Sequence, residues 1–555
     1  MFRNQNHEGW SVVLTSDRGS FSDYSRSDAL GYFCCMPARL VPRLFMDRYF
    51  APPMATLPDS AEAFLAPYAL RKVEASLADQ GITDVAIVPP EHLETAVGPK
   101  TKVLGVTAHD PFGFSPVSTK LTMLFGGGPA WNEQYFAELG EQVRSLRAQH
   151  GLWVVVGGPG VWQMSYRRPD WVDTVFLGDA EVDFPPIVRT ALSGGFVPPE
   201  VHGKAPPLDH IPIIRKPARN GEVQVTRGCP RGCEFCSITP EKYRTIPIED
   251  ILREVAINQA AGEWNVDIVT DDILLYGSAR LRTNHDAVVE LFSALKRAGA
   301  QRIGFAHVSA PAVRESPQTM LDIGHIAEWD VYRGLTPVVG LETGSVRVFR
   351  KYMRAKAFPY QPEEWKDVIL DSTTILNRSG IDPCYTMTIG FPDETNADVE
   401  QSMDLVQALI DQGSTCYVFP LPVIPISTSR IRGNAMPQLE RLPERYWDLL
   451  AMCWKFDLKI TRAMLPTFNG KMRNPVTRRL TQVLTDRVAP QVIRIFEQFK
   501  ETHGRSAYRY KDVTLDGVTG AMRSMYWLFR TTVAGPALSA PSNASQQSEP
   551  IAGVA

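Results

Sequence analysis

The sequence predicts an α/β chain: two successive parallel-sheet domains followed by a helical one. Three observations predict it. Short β-branched runs alternate with helix-period apolar stripes over residues 1–200. The same alternation resumes over 201–430, and 431–535 carries helical spacing with few strand signals. The 555 residues exceed what one core serves, since domains average roughly 150 residues. A content of 44% hydrophobic and 21% charged residues is that of a globular protein, and a net charge of -3 carries no polyelectrolyte signal for nucleic acid. No run is long and apolar enough to span a bilayer, and Met1–Glu8 lacks the apolar stretch of a signal peptide, so the expected location is cytoplasmic. The Ala/Ser/Pro/Gln-rich tail, 536–555, is expected to be disordered.

In the first domain the predicted strands are Val12–Leu14, Val85–Val88, Val103–Thr107, Trp153–Val156 and Thr174–Leu177. Leu70, Val73 and Leu77 form one helical stripe between them, and Phe136, Leu139, Val143 and Leu146 another. This is a Rossmann-like, doubly wound five-strand pattern. Ligands of such sheets bind outside the carboxyl ends of the strands, where glycine lets backbone approach a large flat molecule. Glycine-rich turns stand at those ends: Gly126 and Gly127 before Pro129, then Gly157, Gly158, Pro159 and Gly160, then Gly178 to Glu181. Residues 18–63, rich in aromatics, Arg and Pro, interrupt the first strand-helix connection. Ordinary connections are far shorter, which leaves two readings, a lid over a ligand or a packed peripheral insertion.

Cys229, Cys233 and Cys236 follow a CxxxCxxC spacing in the run Thr226–Ser237. Cubane [4Fe-4S] clusters are normally held by four thiolates, so a compact set of three leaves one iron open to another ligand. A structural zinc site would want four closed ligands, with paired CxxC knuckles or a following HxxxH, and neither is present. Gly228 and Gly232 suit a loop wrapping tightly around a cluster. Cys34, Cys35, Cys384, Cys416 and Cys453 read as core or pocket thiols, because eight cysteines in so long a chain make no disulfide framework.

Behind the cysteines the pattern is that of a partial (β/α)6 barrel, whose reacting groups gather at the carboxyl ends of its strands. Ile251 and Val255 mark its first helix. The strand Val266–Thr270 ends in Asp271 and Asp272, which read as ligand-holding carboxylates or as caps of the next segment. The strand Ile303–Val308 brings His307 to the same rim, where an imidazole suits a general base or a positioning donor. Val338–Ser345 contributes Glu342 and Ser345, and Thr386–Thr395 contributes Gly390. In the third domain Tyr446, Trp447, Leu450, Trp454 and Leu458 make a core stripe, as do Met522, Met525, Tyr526, Leu528 and Phe529.

The cysteine spacing resembles the signature of the radical S-adenosylmethionine (SAM) superfamily, whose members chelate the open iron with SAM. The later elements resemble its SAM-contacting strands over about 200 residues. That resemblance implies that Asp272 holds the SAM amino group, that Glu342 and Ser345 touch its ribose or methionine part, and that Gly390 lies near the adenine. The GGP and Gly-Asp-Ala-Glu turns ahead of the cysteines resemble the cobalamin-binding domain of class B radical SAM methyltransferases. The histidine-bearing DxHxxG motif of many such domains is absent, so no protein histidine is expected on cobalt.

The Pro67–Lys72 helix start and the 18–63 insertion look most like the tryptophan 2-C-methyltransferases of thiopeptide biosynthesis, with aminocoumarin pyrrole methyltransferases as close competitors. By that likeness Arg71 is a cation near the lower cobalt face, a solvated helix arginine being the alternative, and Asp271 is a carboxylate on the unique iron. The resemblance implies a [4Fe-4S] cluster, cobalamin and SAM as cofactors. It implies an external electron donor of flavodoxin or ferredoxin type, and methyl transfer to a carbon of a small, indole- or pyrrole-like substrate in antibiotic biosynthesis. A cobalamin-bearing radical SAM cyclase or oxidoreductase without net methyl transfer is the alternative.

Overall fold

The computed structural model describes residues 8–502 apart from 27, 126, 239–241, 331–334, 427–428, 435–441 and most of 472–488. Six parallel strands form the first sheet in the order β2-β1-β3-β4-β5-β6: Val12–Ser16, Val85–Ile87, Val103–Thr107, Trp153–Gly157, Thr174–Gly178 and Glu200–Gly203 for β1 to β6. Five stand where the β-branched runs predict them. The sixth, Glu-Val-His-Gly, corrects both the strand count and the expected boundary at 200, because it pairs with β5 through Val175↔Glu200 to Gly178↔Gly203. An edge strand covered on one side need not be apolar, so it carried no periodic signal.

Helices Tyr68–Asp79 and Trp131–His150 carry the two predicted stripes, and Leu70, Leu77, Phe136, Leu139, Val143 and Leu146 are buried. The crossovers reverse direction between β1 and β3. The chain from β1 enters residues 18–63 at that switch point. This insertion has a small core of its own: Cys34, Val41, Phe45, Met46 and Ala51 pack on Trp131 and Tyr135 of the long helix. It also reaches the second domain, with the Tyr32 ring 6.3 Å from that of Phe419.

The second domain holds β7 (Glu222–Gln224), β10 (Asn265–Val269), β11 (Arg302–Phe305), β12 (Val338–Glu342), β13 (Cys384–Ile389) and β14 (Tyr417–Pro422). They form two parallel three-stranded sheets, β11-β10-β7 and β12-β13-β14, which a parallel bridge between His307 and Val338 joins at their facing edges. The result is the expected six-stranded partial barrel. Alternation is visible at the start of β13, where Tyr385 and Met387 are buried and Cys384 and Thr386 only half-buried, and it gives way to full burial at Thr388 and Ile389. A two-residue ribbon, β8 (Thr226–Arg227) with β9 (Arg244–Thr245), brackets the cysteine loop.

Helix Arg445–Lys471 lies along β14, and the Asp457 carboxylate accepts from Val418 N–H at 2.8 Å, closing an otherwise bare strand edge. Tyr446, Trp447, Leu450 and Leu458 are buried on its inner side, as their spacing predicts. The predicted stripe from Met522 to Phe529 and the tail 536–555 lie outside the described residues.

Candidate functional site

The cysteine loop leaves β8 at the carboxyl end of the barrel. Gly228 and Gly232 adopt left-handed φ of 84° and 72°, conformations a side chain resists, so the loop turns back on itself within a few residues. The segment 352–358 lies against it: Cys233 bridges to Met353, Glu234 N–H donates to Tyr352 O at 2.8 Å and Ala355 N–H to Arg231 O at 3.0 Å. Arg231, inside the cysteine motif, is the loop's anchor. Its guanidinium donates to Lys356 O at 3.1 Å, to Ser309 Oγ at 2.7 Å and to Asp272 Oδ2 at 3.3 Å.

The three thiols are half-buried or buried and sense one another's charge. Burial pushes Cys233 up to about 12 and raises Cys229 and Cys236, while the Lys356 ammonium lowers all three. Metal coordination deprotonates thiols outright and so relieves that cost. Among the described residues no three His, Cys, Asp or Glu side chains stand close enough to hold a single metal ion. A three-thiol donor set in a backbone-rich loop, with a cation beside it, fits a multi-iron cluster better than one ion.

Around this loop the predicted residues divide. Asp271 stands beside it: its carboxylate accepts from Gly228 N–H and acts on Cys236, and burial raises its pKa. His307 opens onto the barrel interior, with Nδ1 3.2 Å from Thr270 O; crowding by protein atoms lowers its pKa, against the opposing effect of that hydrogen bond. Glu342 sits at the end of β12 at φ 65°, just past a register shift, with Oε1 2.6 Å from Lys356 Nζ and Oε2 accepting from Thr388 Oγ1 at 2.8 Å. Gly390 turns at φ 85° and donates its N–H to Glu394, whose carboxyl burial pushes up to about 7.

Three of the predicted residues have side chains engaged by protein partners. Asp272 is buried, and its oxygens bind Arg231, Ser309 N–H at 3.2 Å and the Ser309 hydroxyl; it holds the loop. Ser345 caps helix Val346–Tyr352 by accepting from Val348 N–H at 3.3 Å, and it donates to Asp398 at 2.6 Å. Arg71 is fully buried, which corrects the alternative of a solvated helix arginine. Four of its N–H groups are spent on Pro217 O, Glu74, Ala63 O and Phe64 O, at a junction between the first two domains.

The doubly wound domain presents its glycine turns as expected at the carboxyl ends of β4 and β5. A Cβ on Gly158 would lie 2.4 Å from Thr107 Oγ1, and one on Gly178 2.5 Å from Gly203 O, so both positions need φ near 90° and no side chain. Gly157 and Pro159 lie in the turn after β4, with Pro159 and Gly158 exposed; Gly127, expected at a strand end, instead lies between helices Pro116–Leu124 and Trp131–His150, and Gly126 is outside the described residues. A cavity of about 530 Å³ opens here, lined among others by Trp162, Leu177, Gly178, His202, Gly203 and Arg432. Val161, Trp162 and Leu177 make one side of it apolar, whereas Arg168, Glu200, His202 and Arg432 give it a polar side. Glu181 does not face it freely: it pairs with Arg227 at 2.7 Å, two residues before the first cysteine, and Asp179 stands 3.4 Å from the same guanidinium. The turn after β5 is thereby clamped to the strand that feeds the cysteine loop.

Arg231, Arg227 and Lys356 are the residues that sequence reasoning missed. Arg231 could have been suspected from its place inside the motif; the other two carry no local signal.

Residues 223–406 match the model of the radical SAM superfamily. Among curated relatives, the chain is 24% identical over 378 residues to the tRNA-2-methylthio-N(6)-dimethylallyladenosine synthase of Dichelobacter nodosus, covering 64% of this chain and 76% of that protein. It is 26% identical over 331 residues to the same-named protein of Nitrosospira multiformis, covering 56% and 66%. Among solved structures it resembles the radical SAM methyltransferase TsrM from Kitasatospora setae with cobalamin and a [4Fe-4S] cluster bound, at a TM-score of 0.50 and 14% identity over 76% of this chain and 77% of that one. TsrM with tryptophan substrate and the SAM analogue aza-SAM gives 0.50 at 15% identity, over 76% and 75%. At such identities the likeness is one of fold. The three cysteines and the half-open parallel barrel around them are therefore those of a radical SAM domain, which this chain carries over residues 223–406.

Proposed function

We propose that the chain is a cobalamin-dependent radical SAM C-methyltransferase, acting on a carbon of a small heteroaromatic substrate. The observation that carries this reading is the clamp between the two halves: the Gly178–Glu181 turn of the doubly wound domain is tied by Arg227 to the cysteine loop, so anything on that sheet's glycine edge lies beside the cluster site. The fold shared with a methyltransferase solved with cobalamin and tryptophan supports it. Cys229, Cys233 and Cys236 would hold a [4Fe-4S] cluster, with SAM or Asp271 at its open iron. The glycine turns and the cavity beneath them would hold cobalamin. When bound, cobalamin supplies a nucleophilic metal that accepts a methyl group from SAM and yields it to a carbon.

The chain's own residues do the rest. Arg231, Asp272 and Ser309 fix the cysteine loop, Glu342 and Lys356 set the charge beside it, and His307, whose Nδ1 is engaged by Thr270 O, leaves its other ring nitrogen facing the interior as an acceptor for a substrate proton.

The sequence relatives favour a second reading, methylthio transfer to a tRNA base. The net charge of -3 gives no overall electrostatic attraction to a polyanion. The deciding experiment is anoxic purification with iron, sulfide and cobalamin analysis, then turnover with methyl-labelled SAM. Cobalamin in the protein with methyl label and S-adenosylhomocysteine in the products is the expected result. Cobalamin-free protein that places label on tRNA through sulfur sinks the first reading, and 5'-deoxyadenosine without methyl incorporation points to a cyclase or oxidoreductase.

A further inference from the structure

The three thiols of the cysteine loop share their surroundings with one buried ammonium, Lys356. Its side chain is 13% exposed and its partner Glu342 is 7% exposed, at 2.6 Å. The pair is built in from both sides. On the loop side, Lys356 O accepts from Arg231 within the cysteine motif, and Cys233 bridges to Met353 three residues before the lysine. On the barrel side, Glu342 holds a left-handed φ of 65° that non-glycine residues rarely adopt, and its second oxygen is fixed by Thr388. Gly340 makes the room: a Cβ there would lie 2.0 Å from Glu342 Oε1 and 2.1 Å from Lys356 Nζ. A strained backbone, a side-chain-free position and a buried ion pair converge on one point. Burial of such a pair is costly enough that stability alone is a poor explanation for it.

We propose that Lys356, held by Glu342, is a positioning residue that sets the reduction potential of the cluster. The inference rests on the cluster assignment made above. A centre carrying three thiolates becomes more negative by one charge when it takes an electron from an external one-electron donor of flavodoxin or ferredoxin type. A fixed ammonium beside it in a low-dielectric loop favours that reduced state and raises the potential, and the Glu342 carboxylate, whose opposite charge also reaches Cys233 and Cys236, moderates the effect.

The test is an EPR-monitored redox titration of the reconstituted full chain, with iron and sulfide measured on every sample. Lys356→Gln is expected to make the cluster harder to reduce by about tenfold in the one-electron equilibrium, a fall of about 59 mV. Glu342→Gln should shift it in the opposite direction, and Lys356→Arg should stay near wild type. A merely structural pair would lower cluster content without moving the two potentials apart. If Lys356→Gln holds too little cluster to titrate, the rise in Glu342→Gln decides alone, and its absence overturns the proposal. Potentials that coincide at normal cluster content overturn the inference and leave the cluster assignment standing. Wild-type protein that takes up no iron and sulfide overturns both.

Discussion

Asp271 and Asp272 are neighbours with opposite fates. Asp272 is spent on Arg231 and Ser309, while Asp271 stays at the cysteine loop with only backbone and distant charges around it. Removing Asp272 would leave the buried Arg231 guanidinium without its counter-charge. Asp272→Leu is therefore expected to destabilise the barrel by about 3–5 kcal/mol in urea denaturation, and to lower iron uptake. The Arg231→Met/Asp272→Leu double variant should recover part of that loss, because it removes both charges; a double variant no more stable than the single would refute the pairing. Asp271→Ala should leave stability nearly unchanged. Its informative readout is the EPR spectrum with SAM present, and an unchanged cluster signal would reject Asp271 as an iron ligand.

At the scale of elements, helix Arg445–Lys471 covers the open edge of β14 through Asp457, whose carboxyl burial pushes up to about 7 against the hydrogen bond from Val418 and the charge of Lys120. A carboxyl with a raised pKa in the folded state is protonated there while the unfolded chain is ionised. Its contribution is complete below the ordinary carboxylate value of 3.8 and is lost as pH rises toward about 7. Unfolding free energy should thus fall across that window, and Asp457→Asn, which retains an acceptor for Val418, should flatten the slope. Urea midpoints at pH 5 and pH 8 check this, and equal pH dependence in both proteins would exclude it. Elements also differ in how visible they were. Val103–Thr107 reads correctly from its own residues because a central strand is apolar along its length, whereas Glu200–Gly203 is recognised only by its pairing with β5.

Across the whole molecule, charge and hydrogen bonding tie the first two domains into one unit. Lys72 Nζ lies 2.5 Å from Glu254 Oε1, the Tyr68 hydroxyl donates to Glu254 Oε2 at 2.7 Å, and Ile214 N–H donates to Oε1 at 3.1 Å. Arg26 pairs with Glu263 at 2.5 Å from the inserted segment. The buried Glu254 network is the strongest of these, since exposed pairs are worth at most about 1 kcal/mol. Glu254→Ala leaves Lys72 buried and unpaired; it should cost about 3–5 kcal/mol and split calorimetric unfolding into two separated transitions. A single transition at the wild-type temperature would disprove the coupling.

By itself the sequence determined the α/β class, most of the parallel strands and the cysteine loop, because strand burial, helix period and ligand spacing are written in neighbouring residues. It also named the places where polar groups gather at strand ends. Only the tertiary structure decided which of those groups are free: Glu181, Asp272, Ser345 and Arg71 are claimed by side chains or carbonyls distant in sequence, and Lys356, held by Glu342 of β12, comes to stand beside the cysteines. The physical reason is that a hydrogen bond or ion pair depends on separation in space, and groups far apart along the chain acquire that separation only when the sheets close.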